Sequence, residues 1–562
     1  MTYIALLAAG LVLSFIYNII VSRKDIKQKR KQFEQSFGQP PTQKTDLESV
    51  RMFFELAAKD GEEAEVIDDI TWNDLDMDQV FHRINTCKTS IGEEKLYYTL
   101  RSMKSIPADF DAYVSALRQN KEARIECQMA LYQLGRMPYS GLLPVLKGIT
   151  EIKTLPRWFI VAMSVMPLVA LVSMIFIGYS GLLLLLGAIV FNMVYSALLK
   201  QKLDAQLSGM RYFSRMLNCT EKLSKIKVEG LNGLLAEIAD GHRLLKPLKS
   251  RVSALTAEVV SNSQMGALDM FIRLFTLSDV RAYQKAVSVL NKHTERAFAL
   301  YHAVGLLDML IAVASFRKSL GAVCVPVFHE TMEIKAERMG HPLLVRPVTN
   351  DCHIRRDTII TGSNASGKST FIKALAVNAL LAQAIHTCAA KSFALPRARI
   401  VSSMALRDDI TKGDSYFIAE IKSFKRIMDL SEREPCLCFV DEILRGTNTI
   451  ERIAASAAVL YSLSRAHCLC LVASHDIELT RILKNEYDNY HFSEQVTNAG
   501  VSFDYLLREG ASKTRNAILL LSAMGFDPDA IDTANELVAA FESTNSWPPF
   551  TGKGKVNVGD AQ

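Results

Sequence analysis

Hydrophobic and polar positions along this chain follow three different rhythms. Residues 3–22 and 158–199 are apolar without an intervening charge. From Met77 to Leu143, and again over 203–320, apolar residues recur three and four apart, the period of amphipathic helices. Beyond Val323 short β-branched runs, such as Asp357-Thr358-Ile359-Ile360-Thr361 and Cys436-Leu437-Cys438-Phe439-Val440, alternate with helical stretches. That alternation predicts a parallel α/β sheet. The chain therefore divides into an anchor (1–22), a polar connector (23–76), a first helical part (77–157), an apolar hairpin (158–199), a second helical part (200–322), an α/β domain (323–542) and a tail without order (543–562).

Charge sharpens the reading of the apolar runs. Arg23, Lys24, Lys27, Lys29, Arg30 and Lys31 follow the first run, whereas a cleaved leader carries its positive charge before the run. A retained anchor is the favoured reading and a leader the alternative. The second run is interrupted at Gly178-Tyr179-Ser180-Gly181 and flanked by Lys153, Arg157, Lys200 and Lys202. Each half has about the 20 residues that a helix needs to cross a bilayer. A membrane hairpin is expected, against the alternative of a buried soluble one. Together the runs predict three crossings of the cytoplasmic membrane, with the bulk of the chain in the cytosol.

The composition adds little more. Hydrophobic residues make up 49% of the 562, and the net charge of +6 permits contact with phosphate backbones without demanding it. Lys222, Lys225, Lys227, Arg243, Lys246, Lys249 and Arg251 form either a phosphate-binding face or a solvated helix surface. Ten scattered cysteines fit reduced thiols. Cys436/Cys438 and Cys468/Cys470 each share one strand face, and packing as small hydrophobes is expected there rather than metal binding.

The chemistry concentrates in the α/β domain. Gly362-Ser363-Asn364-Ala365-Ser366-Gly367-Lys368-Ser369 has the glycine spacing that closes backbone N–H groups around phosphate oxygens. It follows a strand and opens a helix expected over Thr370 to Ile385, whose positive dipole end adds to the site. Lys368 is placed to reach the β- and γ-phosphates of ATP, and Ser369 to ligate Mg²⁺. The strand Leu437–Val440 ends in two acids, Asp441 for Mg²⁺ and Glu442 to polarise the attacking water. A third strand, Cys468–Ala473, ends at Ser474-His475-Asp476, where His475 can face the γ-phosphate.

The order of these motifs resembles the ATPase domain of the MutS mismatch-repair family over about Gly340 to Leu537. Gly340-His341-Pro342-Leu343 resembles the family's H-P segment, and Thr361 to Thr370 its T-G-P-N-M-G-G-K-S-T. Asp408-Asp409-Ile410 with Gly413, Ser415, Phe417 and Glu420 is similar to D-D-L…G-x-S-T-F-x-x-E. Asp441 to Thr449 is similar to D-E-I-G-R-G-T-S-T, Ala473-Ser474-His475 with Glu478-Leu479-Thr480 to A-T-H…E-L-T, and Gly510 to Ala517 to the late G-x-A-x-x-S-Y-G stretch. More weakly, Thr89-Ser90-Ile91-Gly92 looks like the start of the family's helical core, and Leu306-Leu307-Asp308-Met309-Leu310 like the end of its lever helix.

The resemblance implies an α/β P-loop NTPase fold of the transporter-ATPase and MutS type, preceded by an all-α core and lever domain with transmembrane helices. It implies a homodimer with composite ATP sites. Thr370 and the loop residues bind one nucleotide, Ser415 reaches the γ-phosphate held by the other subunit, and Asn448 and Thr449 lie on the seam. It makes Lys368, Glu442 and His475 catalytic, assigns Mg²⁺ to Ser369 and Asp441, and makes double-stranded DNA a candidate partner. No stretch resembles the family's mismatch-reading domain, and no separate clamp with a basic stripe is found. The base-stacking residue is open, with His353 a candidate. A DNA-acting ATPase, a membrane mechanochemical ATPase without a DNA role, and a transporter thus compete. Three crossings leave the transporter little room for a pathway.

Overall fold

A computed structural model describes residues 24–42, 46–58, 66–102, 106–137, 142–148, 156–256, 287–288, 290–363, 366–404, 416–497, 500–512, 517–544, 546–551 and 555–556. The chain separates into two units. One comprises residues 1–64, 81–100 and 106–319, and the other residues 65–80, 101–105 and 320–562. The expected connector is therefore no free-standing linker. Its last part joins the C-terminal unit, where the short helix Asp69–Asp74 packs beside a strand edge and Arg426 pairs with Asp68. The expected anchor 1–22 lies outside the described residues.

The helical unit is built on α1 (Ser90–Arg101), α2 (Arg157–Ile177), α3 (Tyr179–Leu223), α4 (Asn232–Thr256) and α5 (Thr294–Ser319). By composition α5 is apolar enough to cross a membrane, yet most of it is buried, with Leu307, Leu310, Val313 and Ala314 fully enclosed. It is the core helix of this unit. Its Asp308, also fully buried, accepts hydrogen bonds from the Lys88 N–H (2.9 Å), the Thr89 N–H (2.8 Å) and the Thr89 hydroxyl (2.7 Å). A side chain from a distant helix thus holds the turn that leads into α1, while the Thr89 hydroxyl caps the helix itself by accepting the Gly92 N–H at 3.0 Å. Gly92 makes room for it, since a Cβ there would lie 2.4 Å from the carboxylate.

The hairpin forms as expected, with two differences. The turn is Gly178 alone, at φ +52°, and Tyr179-Ser180-Gly181 already belong to α3. Nor does a helix end near residue 199, because α3 runs unbroken to Leu223. Beyond the hairpin it packs against α4 and the helix Lys121–Leu134.

The C-terminal unit holds a six-stranded sheet in the order β10-β9-β4-β8-β7-β6. Its strands are β4 (Thr358–Thr361), β6 (Arg399–Ser403), β7 (Cys436–Asp441), β8 (Cys468–Ala473), β9 (Asp488–Thr497) and β10 (Gly500–Glu509). All pair in parallel except β9 with β10. A second sheet, β1-β5-β2-β3, uses β1 (Val327–His329), β2 (Ile334–Met339), β3 (Asn350–Ile354) and β5 (Ser392–Pro396). Strands β4 and β7 are buried at every position and β8 at all but its first, as central strands covered on both faces must be. Cys436 and Cys438 lie in register with Cys468 and Cys470 and pack with Val440, Val472 and Leu460, so they serve as core hydrophobes.

The tail expected to lack order is in part folded. A helix runs over Pro528–Thr544, the Trp547 ring stacks on Phe541 at 4.3 Å, and β11 (Phe550–Thr551) pairs with β12 (Lys555–Val556). The apolar Trp547 and Phe550 supply what the polar, Gly- and Lys-bearing sequence around them concealed.

Candidate nucleotide site

The sheet delivers its chemistry at the carboxyl ends of β4, β7 and β8, the edge where open α/β sheets bind ligands. After β4 the chain turns through Gly362 (φ +144°) and Gly367 (φ +100°) into α6 (Lys368–Ile385). Both backbone conformations are ones that a side chain disfavours. The space is also taken. A Cβ on Gly362 would meet the Phe492 carbonyl at 2.8 Å, and one on Gly367 the Tyr505 ring at 3.0 Å. Lys368 is buried, and its ammonium donates to the Gly362 (2.6 Å) and Ser363 (2.8 Å) carbonyls, inside the curve of the loop. The Ser366 hydroxyl donates to the Ser363 carbonyl at 2.7 Å. Asn364 and Ala365 lie outside the described residues.

At the end of β7, Asp441 is buried and its Oδ1 has no hydrogen-bond partner among the described residues. An orphaned buried carboxylate oxygen is costly unless a cation or donor satisfies it. The residues present therefore fit Mg²⁺, with Asp441 and Ser369 as its expected holders. The next residues, Glu442 and Leu444, take positive φ values of +57° and +54°. This left-handed backbone, uncommon away from glycine, reverses the chain sharply after the strand. Glu420, from α7 (Tyr416–Ser431), secures the turn by accepting the Leu444 N–H at 2.6 Å.

Glu442 is half-buried. Burial alone raises its pKa, but the His475 hydrogen bond and the charges of Arg445 and Lys368 outweigh that and hold it below the usual carboxylate range. His475 approaches Glu442 Oε2 at 3.4 Å and Arg445 reaches the same oxygen at 2.5 Å. The Glu442 contact in turn raises the His475 pKa. Arg452 fixes the His475 loop through two hydrogen bonds to Asp476, at 2.7 and 3.1 Å. Lys368, Asp441, Glu442 and His475 are thus placed around one sheet edge, as their spacing predicts. Ser415, Asp408 and Asp409 fall outside the described residues.

Beside the loop opens a cavity of about 440 Å³, lined among others by His341, Gly367, Ser369, Thr370, Phe492 and Tyr505. Its size and mixed walls suit a nucleoside. His353, the candidate for base stacking, does not line it. That ring bonds to Glu333 at 3.1 Å and stands against Arg355, because β3 runs in the second sheet. Tyr505 lines it instead. A bulge between Phe503 and Leu507 gives it φ +57°, and Asn350 pins the bulge by donating to the Tyr505 carbonyl (3.0 Å) and accepting from the Leu507 N–H (2.7 Å). Nothing in the sequence but the closely placed Asp504 and Gly510 hinted at an irregular strand there.

Three of the seven residues of the basic run in the helical unit have partners within that unit. Lys222 bonds to Gln133, Lys225 pairs with Glu221 at 3.6 Å, and Arg243 pairs with Asp240 at 2.9 Å.

Residues 358–542 match the family described as MutS domain V. Similar curated proteins are named DNA mismatch repair protein MutS. That of Natronomonas pharaonis is 29% identical over 338 residues, covering 57% of this chain and 38% of that protein. Those of Rickettsia africae (30% over 246 residues, 41% and 27%) and Rickettsia akari (32% over 216 residues, 37% and 24%) are matched over shorter stretches. The chain thus spans well under half the length of the relatives it matches.

Proposed function

Because residues 358–542 make this chain a divergent member of the MutS family, we propose that it is a membrane-anchored ATPase that works as an ATP-gated dimer on DNA. One observation carries the hydrolytic part: Asp441 Oδ1 is buried without a partner among the described residues, beside a lysine-bearing phosphate loop. Lys368 and the loop amides hold the phosphates, with Tyr505 and His341 beside the base. Bound at Ser369 and Asp441, Mg²⁺ neutralises charge on the phosphate oxygens. Arg445 and His475 both contact Oε2 of Glu442, which leaves Oε1 to accept a proton from the attacking water. Ser415 closes the site from the other subunit, and the exposed Ile450, on the helix that follows Asn448, fits a seam there.

Lys368→Ala is expected to abolish nucleotide binding, and Glu442→Gln to bind ATP, stop turnover and trap a dimer. ATP turnover by Glu442→Gln at the unaltered rate removes the assigned role.

The membrane part rests on the hairpin. Over 158–198 the described outward side chains are apolar apart from Tyr179 and Ser180 at the turn, with Ile175 at 80% and Phe176 at 81% exposure. The DNA part rests on the relatives' names alone, and the local engagement of Lys222, Lys225 and Arg243 favours a second reading, a membrane mechanochemical ATPase without DNA. Titrating the detergent-solubilised chain with matched and mismatched duplexes across salt separates them. Affinity that falls steeply as salt rises supports DNA. Absent or salt-independent binding leaves the second reading.

A further inference from the structure

The hairpin contains a polar feature that its apolar sequence does not explain. Pro167 lies inside α2 and has no N–H, so it cannot bond to the carbonyl four residues before it, which is that of Met163. In an apolar setting a freed carbonyl must find another donor. On the facing helix, Asn192 is buried to 1% exposure and donates its side-chain amide to that same Met163 carbonyl at 3.0 Å. The contact joins residues 29 apart, across the hairpin.

Around it the two helices meet along small residues. Ala170 and Ala188 are buried between them, and a Cβ on Gly181 would stand 2.6 Å from the Met174 backbone. Close approach through small side chains, with one polar group across the seam, is how helices pair where no hydrophobic effect drives them together. Away from Tyr179 and Ser180 at the turn, the described side chains that are exposed are apolar. The helical segments Val161–Ile177 and Tyr179–Tyr195, of 17 residues each, are about 25 Å long at the helical rise, close to the hydrocarbon thickness of a bilayer.

We infer that Asn192 is the latch of this hairpin, replacing the hydrogen bond that Pro167 removes, so that both helices sit in lipid hydrocarbon as one paired unit whose outer surface meets acyl chains. The lipid part rests on the membrane reading above, while the latch stands on the Pro167–Met163–Asn192 geometry. The Asn192 amide is redundant once residue 167 can donate. Asn192→Leu should open the hairpin only while Pro167 is present.

The test is a double-mutant cycle on the full chain in nanodiscs of mixed phosphatidylcholine and phosphatidylglycerol, read by amide hydrogen exchange in peptides from 157–177. Asn192→Leu should speed exchange there by roughly five- to tenfold, the effect of one lost hydrogen bond on local opening. In the Pro167→Ala background the same change should have at most a small effect. Equal acceleration in both backgrounds, or none in either, overturns the latch. Should Asn192→Leu alone fail to yield folded protein, recovery in the Pro167→Ala, Asn192→Leu double variant supports the latch, and failure to recover beside a folded Pro167→Ala refutes it. Flotation of the unaltered chain with vesicles of the same lipids tests the membrane reading separately. If the chain does not float, that reading fails, and the cycle repeated in detergent micelles still decides the latch.

Discussion

Asp357 shows how a single residue in front of the phosphate-loop strand trades stability for order. Its carboxylate accepts the Cys470 N–H at 2.7 Å and so ties β4 to β8, but burial pushes its pKa up from 3.8 to about 6. The folded state therefore holds this proton more tightly than the unfolded one. The contribution of this one group to stability is most favourable below pH 4, falls as pH rises through 4 to 6, and stays lowered above. At about 1.4 kcal/mol per unit the cost at neutral pH is about 3 kcal/mol. Asn at 357 keeps an acceptor without the charge. Asp357→Asn should raise the thermal midpoint at pH 7.5 and lose that advantage near pH 4. A difference independent of pH means the charge is not the cause. At the nucleotide site, Lys368, Asp441, Glu442 and His475 were legible because their motifs have fixed spacing after strands. Tyr505 was not, because a bulge aimed it, and a bulge leaves no regular spacing.

Among the elements, α1 and α5 show what a remote side chain can fix. Asp308 accepts three hydrogen bonds from Lys88 and Thr89, the turn that leads into α1, and so holds the Thr89 hydroxyl that caps Gly92. Asp308→Ala leaves those buried N–H groups without a partner, and the expected loss is about 3 kcal/mol or more. Circular dichroism and exchange of the amides of residues 88–92 would show it, with the start of α1 opening first. Unchanged protection at Thr89 counts against the cap. Thr89-Ser90-Ile91-Gly92 and Leu306 to Leu310 were separate signals in the sequence. Their meeting comes from the packing of α5 and depends on the absence of a side chain at Gly92.

For the whole molecule the proposed topology is the quantity to measure. Cysteines introduced near Gly178 should react with an impermeant reagent added outside the cell, and cysteines near Lys200 should not, judged on a background with the ten native cysteines replaced. Reaction at Lys200 from outside overturns the topology. Because α3 is continuous from Tyr179 to Leu223, no break in the helix separates the hairpin from the rest of the helical unit. The sequence by itself determined the helical and α/β halves, the phosphate loop, the acids behind β7 and the apolar hairpin. Each of these rests on a local period or a fixed spacing. Only the tertiary structure decided that residues 65–80 join the C-terminal unit, that Tyr505 rather than His353 stands beside the loop, and that Asn192 answers Pro167. Those facts depend on strand order, a bulge and a helix crossing, which bring together residues far apart along the chain.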